Sequence, residues 1–181
     1  ASTAGSLGSD GAAIADGQIT GNRDQRTGIF ALEDAELFNL LCIPPLTRDS
    51  DLIAATWAAA ASYCQERRAL LVIDAPAAWT ANQSTAIATA GAGVNTLRAA
   101  VGNDDAINAS VYFPRLRMAD PLAENRLADF APCGAVAGIM ARTDVQRGVW
   151  KAPAGLAASF SGVQGFTYTM TDPQNGLLNP V

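Results

Sequence analysis

Leu70-Leu71-Val72-Ile73-Asp74-Ala75-Pro76 is a run of large aliphatic side chains closed by an acid and a proline. A run this short, with no polar alternation, reads as a strand covered on both faces. Pro76 has no N–H to give to a ladder, so the strand must end there. The same pattern occurs earlier in Leu37-Phe38-Asn39-Leu40-Leu41-Cys42-Ile43, which is closed by Pro44-Pro45. Strands covered on both faces need helices between them, and helical spacing is what separates the two runs.

Between the strands, Asp49, Ser50 and Asp51 offer an N-cap. Ile53, Trp57, Ala60 and Cys64 then share one helical face, and Arg67 and Arg68 stand where cations suit a helix end. After Pro76, a second helix is expected from about Thr80, with Ile87, Ala90, Val94, Leu97 and Val101 on its buried face. Gly102-Asn103 is a suitable stop, while Gly91 and Gly93 weaken the middle turn. A third strand runs through Ala109-Ser110-Val111-Tyr112-Phe113, where Pro114 forces a bulge, a bend or an edge position. Arg115 to Phe130 is mostly polar and reads as loop.

A third helix is expected from Cys133 to about Gln146, with Val136, Ile139 and Met140 on one side. Gly134 and Gly138 would let another backbone come close to it. Gly165 to Met170 reads as a strand, and Thr171-Asp172-Pro173 as a helix start. Strand and helix thus alternate, which predicts an α/β domain: a mainly parallel sheet with helices on its faces. It is preceded by a short irregular Gly-rich N-terminal segment. The expected division is residues 1–28 for that segment and 29–181 for the α/β core. Residues 1–28 carry glycines and acids suited to turns and should pack little.

The chain contains no histidine. Ser-His-Asp and Cys-His catalysis and the commonest zinc ligand are therefore unavailable. The net charge is −5 and no basic run exceeds Arg67-Arg68, so direct nucleic-acid binding is not expected. No apolar stretch is long enough to insert in a bilayer. Cys42, Cys64 and Cys133 are odd in number and lack CxxC spacing, so they read as buried small hydrophobes in a reducing compartment. No cofactor or metal is expected.

Several residues invite chemistry, and each has a plainer role. Asp74 ends a strand, where open α/β sheets bind ligands, but it can equally cap the turn before Pro76. Gly91-Ala92-Gly93 lacks the spacing and the strand-to-helix setting of a phosphate loop. Asp10, Asp16 and Asp24 do not follow a calcium-loop pattern. The pairs Glu33-Asp34 and Asp104-Asp105 suit turns and helix flanks. Arg115 and Arg117 alternate and should point to one side, either toward carboxylates of a neighbouring subunit or to solvent. Trp150, between Gly148 and Pro153, is either an interface anchor or a staple on its own domain. These three residues are the assembly-interface candidates.

Tyr112-Phe113-Pro114-Arg115-Leu116, Asp120-Pro121, Ala131-Pro132-Cys133-Gly134-Ala135-Val136-Ala137-Gly138, Ala141-Arg142-Thr143-Asp144 and Arg147-Gly148-Val149-Trp150-Lys151-Ala152-Pro153-Ala154-Gly155 follow in order along the chain. Together they resemble the tail sheath proteins of contractile bacteriophages and related injection systems. Gly8-Ser9-Asp10-Gly11, the stretches Gly28 to Leu32 and Asn39 to Pro44, and Asn175 to Pro180 extend the resemblance over nearly the whole chain. The wording around Leu37 to Pro44 is most similar to sheaths of phage-tail-like injection particles.

The resemblance implies a structural subunit and no enzyme, with a subtilisin-like α/β core that lacks a protease's active residues. It implies homo-oligomeric stacked rings around an inner tube protein, with baseplate and terminal cap proteins as further partners. Contraction of the sheath drives the tube through a target envelope. Assembly in the bacterial cytoplasm and a place in a phage virion or phage-tail-like particle follow. The N- and C-terminal arms that link subunits in that family are not seen in this sequence. Outside the resemblance, an α/β small-ligand-binding module using the strand ends near Asp74 remains an alternative. So does an atypical hydrolase built on Lys151, the only lysine in the chain.

Overall fold

The computed structural model describes residues 11–178. Gly8-Ser9-Asp10 and Asn179-Pro180 lie outside the described residues. The chain is a mixture of helices and strands built around a small parallel sheet of three strands.

The N-terminal segment is more ordered than its glycines suggest. A short helix α1 covers Asp16–Thr20, and Gln18 reaches back to accept the Ala15 N–H at 2.9 Å. A 3₁₀ turn follows at Gly28–Asp34 and buries Ile29. The first strand, β1, is Leu40–Cys42, shorter than the apolar run that announced it. Helix α2 then spans Ala54–Arg67.

Asp49, Ser50 and Asp51 do not cap α2. Ser50 closes a turn on Thr47, and Asp51 is turned away toward other partners. The carboxylate at the start of α2 comes instead from α1: Asp16 Oδ2 accepts the Ile53 N–H at 2.7 Å and lies 3.4 Å from Thr56 Oγ1. A side chain from 37 residues upstream satisfies one of the orphan donors of the helix end. The expectation that residues 1–28 pack little is corrected on this point. Ile53 is largely exposed, so the buried face of α2 starts at Trp57 and continues through Ala60 and Cys64.

Strand β2 is Leu70–Asp74, as the aliphatic run predicts. Helix α3 is Ala86–Val101, reached through a 3₁₀ turn at Ala77–Thr80 and not starting at Thr80. Strand β3 is Ala109–Tyr112. The sheet order is β1-β2-β3, all parallel, with Leu41 opposite Leu71 and Val72 opposite Ser110. Strand order advancing in one direction with a constant crossover hand puts both connecting helices on one face. Accordingly α2 and α3 pack against each other. Leu71 and Ile73 face that side, in a core with Trp57, Ala60 and Cys64.

Val72 points the opposite way, onto Cys133 and Val136. Those residues belong to α4, Cys133–Arg147, which covers the second face of the sheet. Leu71, Val72 and Ile73 are essentially without solvent contact. Burial of each is worth about 1.5–3 kcal/mol, which secures so short a strand.

Residues 115–130 were expected to be loop and are not. Leu116–Asp120 (β4) and Arg126–Phe130 (β5) form an antiparallel hairpin, joined on the other side of β4 by Val163–Phe166 (β6). The turn between β4 and β5 places Glu124 and Asn125 at positive φ, and Asp120 caps it by accepting the Leu122 N–H at 3.0 Å. Among the described residues, the expected mainly parallel sheet is therefore corrected to two three-stranded sheets, one parallel and one antiparallel. The hairpin escapes a search for apolar alternation because its buried positions are partly polar: Asp120 is as hidden as Leu116. A last helix, α5, covers Asp172–Leu178, where Thr171-Asp172-Pro173 announced it.

Candidate assembly surface

The three interface candidates fall in different environments. Arg115, immediately before β4, is an interior side chain with 4% exposure. Its Nε donates to the Ala75 carbonyl at 3.3 Å and its Nη1 to the Arg48 carbonyl at 2.8 Å. Its Nη2 pairs with the Asp51 carboxylate. It thus ties the antiparallel sheet to the carboxyl end of β2 and to the 44–53 loop. The expectation that Arg115 and Arg117 serve one outer surface together is corrected: the Arg115 guanidinium is engaged within the chain.

Arg48 makes the same junction from the opposite direction. It pairs with the buried Asp120 and lies over the Phe130 ring, 4.8 Å from its centroid. The Arg48 guanidinium holds the Asp120 carboxyl below the usual carboxylate range. A polar cleft of about 370 Å³ lies at this junction, lined by Arg48, Asp49, Arg115, Asp129 and Thr167 among others.

Arg117, in β4, is half-exposed and forms a two-point ion pair with Asp129 directly across the hairpin, at 2.8 and 3.2 Å. Planar donors on a carboxylate fix both partners. The pair still faces water, so a third carboxylate or guanidinium can approach it.

Trp150 is 85% exposed. Its ring lies over Gly148, where a Cβ would sit 2.4 Å from the indole. Gly148 also has φ +90°, so both the helix stop and the indole position require glycine there. Trp150 does not stand alone. Val145, Val149 and Leu156, from the same stretch, are each at least four-fifths exposed. Arg142 in α4 donates to the carbonyls of Ala157 and Ser159, which holds the segment after Trp150 back against the helix. Scattered exposed leucines are ordinary, but here a Trp and three large aliphatic residues, all exposed, fall within twelve positions of sequence. Gly134 and Gly138, on the same helix, are free of neighbours within 4 Å, so their small surface is open.

The other sequence candidates make contacts within the chain. Asp74 does cap, although not the turn before Pro76: its Oδ1 accepts the Cys133 N–H at the start of α4, at 2.7 Å. Gly93 lies inside α3, where a Cβ would fall 2.2 Å from the Trp79 ring. Glu33 pairs with Arg23 and Arg67. Lys151 is exposed and donates to the Ala152 carbonyl at 2.7 Å. Among the described residues, no cluster of His, Cys, Asp or Glu could hold a metal ion, and no helix is long and apolar enough to cross a membrane.

An apolar cleft of about 580 Å³ runs along the outer edge of β3, between α3 and α5. Trp79, Val94, Leu97, Phe113 and Leu178 line it, a feature no single motif in the sequence announces. No family model matches this chain, and no curated protein matches it.

Proposed function

We propose that this chain is the core of a contractile sheath subunit, a structural protein that polymerises with its own copies as helically stacked rings around an inner tube. The observation that carries the proposal is the exposed apolar stretch Val145, Val149, Trp150 and Leu156. Val145, Val149 and Trp150 lie within 131–155, the longest ordered run on which the resemblance to sheath proteins rests, and Leu156 follows it. A surface residue that serves no fold has no folding reason to be a tryptophan. An interface anchor does, because Trp is enriched among residues that dominate binding energy.

The layering supports the same proposal. The three-stranded parallel sheet, with α2 and α3 on one face and α4 on the other, is compatible with a sheath's α/β core, although the antiparallel sheet beside it was not expected. The junction through Arg48, Asp51, Arg115 and Asp120 braces the antiparallel sheet onto it. A sheath must change its lattice while its subunits stay rigid, so bracing inside the subunit and adhesive side chains outside it suit the task. The proposed partners are other sheath subunits, the tube protein, and the baseplate and cap proteins at the ends of the particle. Assembly would take place in the bacterial cytoplasm.

The test is a pelleting assay on the full-length gene product expressed with its tube protein. Trp150→Ala should leave the subunit folded and abolish high-speed pelleting. A Trp150→Ala subunit that pellets like the parent would remove Trp150 as an anchor.

A further inference from the structure

Cys42 and Cys133 are distant in sequence and adjacent in space. Cys42 is the last residue of β1 and Cys133 the first of α4. The Cys42 thiol donates to the Cys133 carbonyl at 3.4 Å, and both residues pack with Val72, Val136 and Met140 on one face of the parallel sheet. The third cysteine, Cys64, lies in α2 on the opposite face and is fully buried. All three are free thiols.

We propose that Cys42 and Cys133 form a redox-modification site, at which a peroxide converts the thiol pair into an intramolecular disulfide tying the end of β1 to the start of α4.

Asp74 completes the site. It is the last residue of β2, two residues beyond Val72, the register partner of Cys42, and is 5% exposed. Its Oδ1 is taken by the Cys133 N–H, while its Oδ2 is buried with no hydrogen-bond partner. A buried carboxyl oxygen without a donor is a costly feature for a fold to carry. Beside a thiol it is a place for that thiol's proton.

The two sulfurs are unequal. Cys42 is partly exposed, and the neighbouring Cys133 side chain holds its ionisation below the ordinary thiol range. Cys133 is buried, and Cys42, burial and Asp74 together hold its ionisation well above that range. Burial pushes the Cys64 thiol up to about 12, so it stays protonated and inert.

Cys42 is therefore the attacking sulfur and Cys133 the resolving one. The Cys42 thiolate attacks a peroxide oxygen, the O–O bond breaks, and hydroxide leaves as water once protonated. Cys42 is now a sulfenic acid. The Cys133 sulfur attacks it, the S–O bond breaks, and a second water leaves. The Cys133 proton passes by way of Asp74 Oδ2 to the departing hydroxyl, which leaves as that second water. In sum, two thiols and one hydrogen peroxide give one disulfide and two waters.

The experiment treats the 181-residue chain with hydrogen peroxide, then denatures it and alkylates it. The expected product carries one alkyl group in place of three, is two hydrogens lighter, and yields a linked Cys42–Cys133 peptide. Cys64→Ser should give the same link. Cys42→Ser should give none and keep Cys133 alkylatable. Asp74→Asn should slow closure, so that Cys42 sulfenic acid accumulates and is trapped by dimedone. Three alkylated thiols after peroxide, a link through Cys64, or Cys42 oxidised to sulfinic acid beside a reduced Cys133 would each overturn the proposal. Closure at an unchanged rate in Asp74→Asn would remove Asp74 from it.

Discussion

Replacing Arg115 by alanine should cost far more than its place in a polar stretch suggests. The side chain makes two bonds to carbonyls and one ion pair, at 4% exposure. Deleting one partner of a buried pair costs about 3–5 kcal/mol. The low end applies here for two reasons. Asp51 is 33% exposed and still accepts the Ala77 N–H at 3.1 and 3.2 Å, so it is not stranded. Arg48 lines a polar cleft, and water can replace the donor lost at its carbonyl.

The expected loss is therefore about 3 kcal/mol, against a total of about 5–15 kcal/mol for a domain. Arg117→Ala is the control. Its pair with Asp129 is nearly half exposed on both sides, and removing it should cost about 0.2–1 kcal/mol. Urea titration followed by the fluorescence of the buried Trp57 and Trp79 reads both variants. At about 1–3 kcal/mol per molar urea, the Arg115→Ala midpoint should fall by roughly 1–3 M. A loss below about 1 kcal/mol, equal to that of Arg117→Ala, would refute the junction role.

Other outcomes follow from single positions. Gly93→Ala gains about 1 kcal/mol in helix propensity but drives a methyl into the rigid, buried Trp79 ring at 2.2 Å. Overpacking of that kind costs about 1–3 kcal/mol or more, so thermal unfolding should show net destabilisation. Asp120 has its folded ionisation lowered by Arg48. Its contribution should be fully present above the unfolded carboxyl value of about 3.9 and should fade as pH drops through the lower folded value. An Arg48→Met variant should lack that acid-limb loss in a pH series of melting temperatures. Asp74 has its folded ionisation raised by burial, so its contribution is complete below the unfolded value and is lost as pH rises through the folded one. Asp74→Asn, which keeps an acceptor for Cys133 N–H, should raise the melting temperature more at pH 8 than at pH 4.

The parallel half of the fold was legible because its strands are unambiguous. Leu70 to Ile73 is aliphatic without interruption, and its proline stop is real. The α2 face from Trp57 onward and the bounds of α4 also follow from spacing. The antiparallel half was not legible, because Asp120 and Arg115 are buried and only tertiary partners make that tolerable. The same cause hid the cap of α2: Asp16 and Ile53 are 37 residues apart, and no local pattern joins them. Among site residues, Trp150 beside glycine and proline reads from sequence as either an interface anchor or a staple on its own domain. Its exposure and its apolar companions Val145, Val149 and Leu156 needed coordinates. The neighbouring Cys42, Asp74 and Cys133 come from three elements and meet only because the parallel sheet aligns its carboxyl ends.

Electron microscopy of the full-length gene product expressed with its tube protein tests the central claim most directly. A sheath subunit should give striated hollow tubes with a helical repeat, and Trp150→Ala should give none. A well-folded parent protein that stays as monodisperse single particles in the presence of its tube partner would contradict a sheath role.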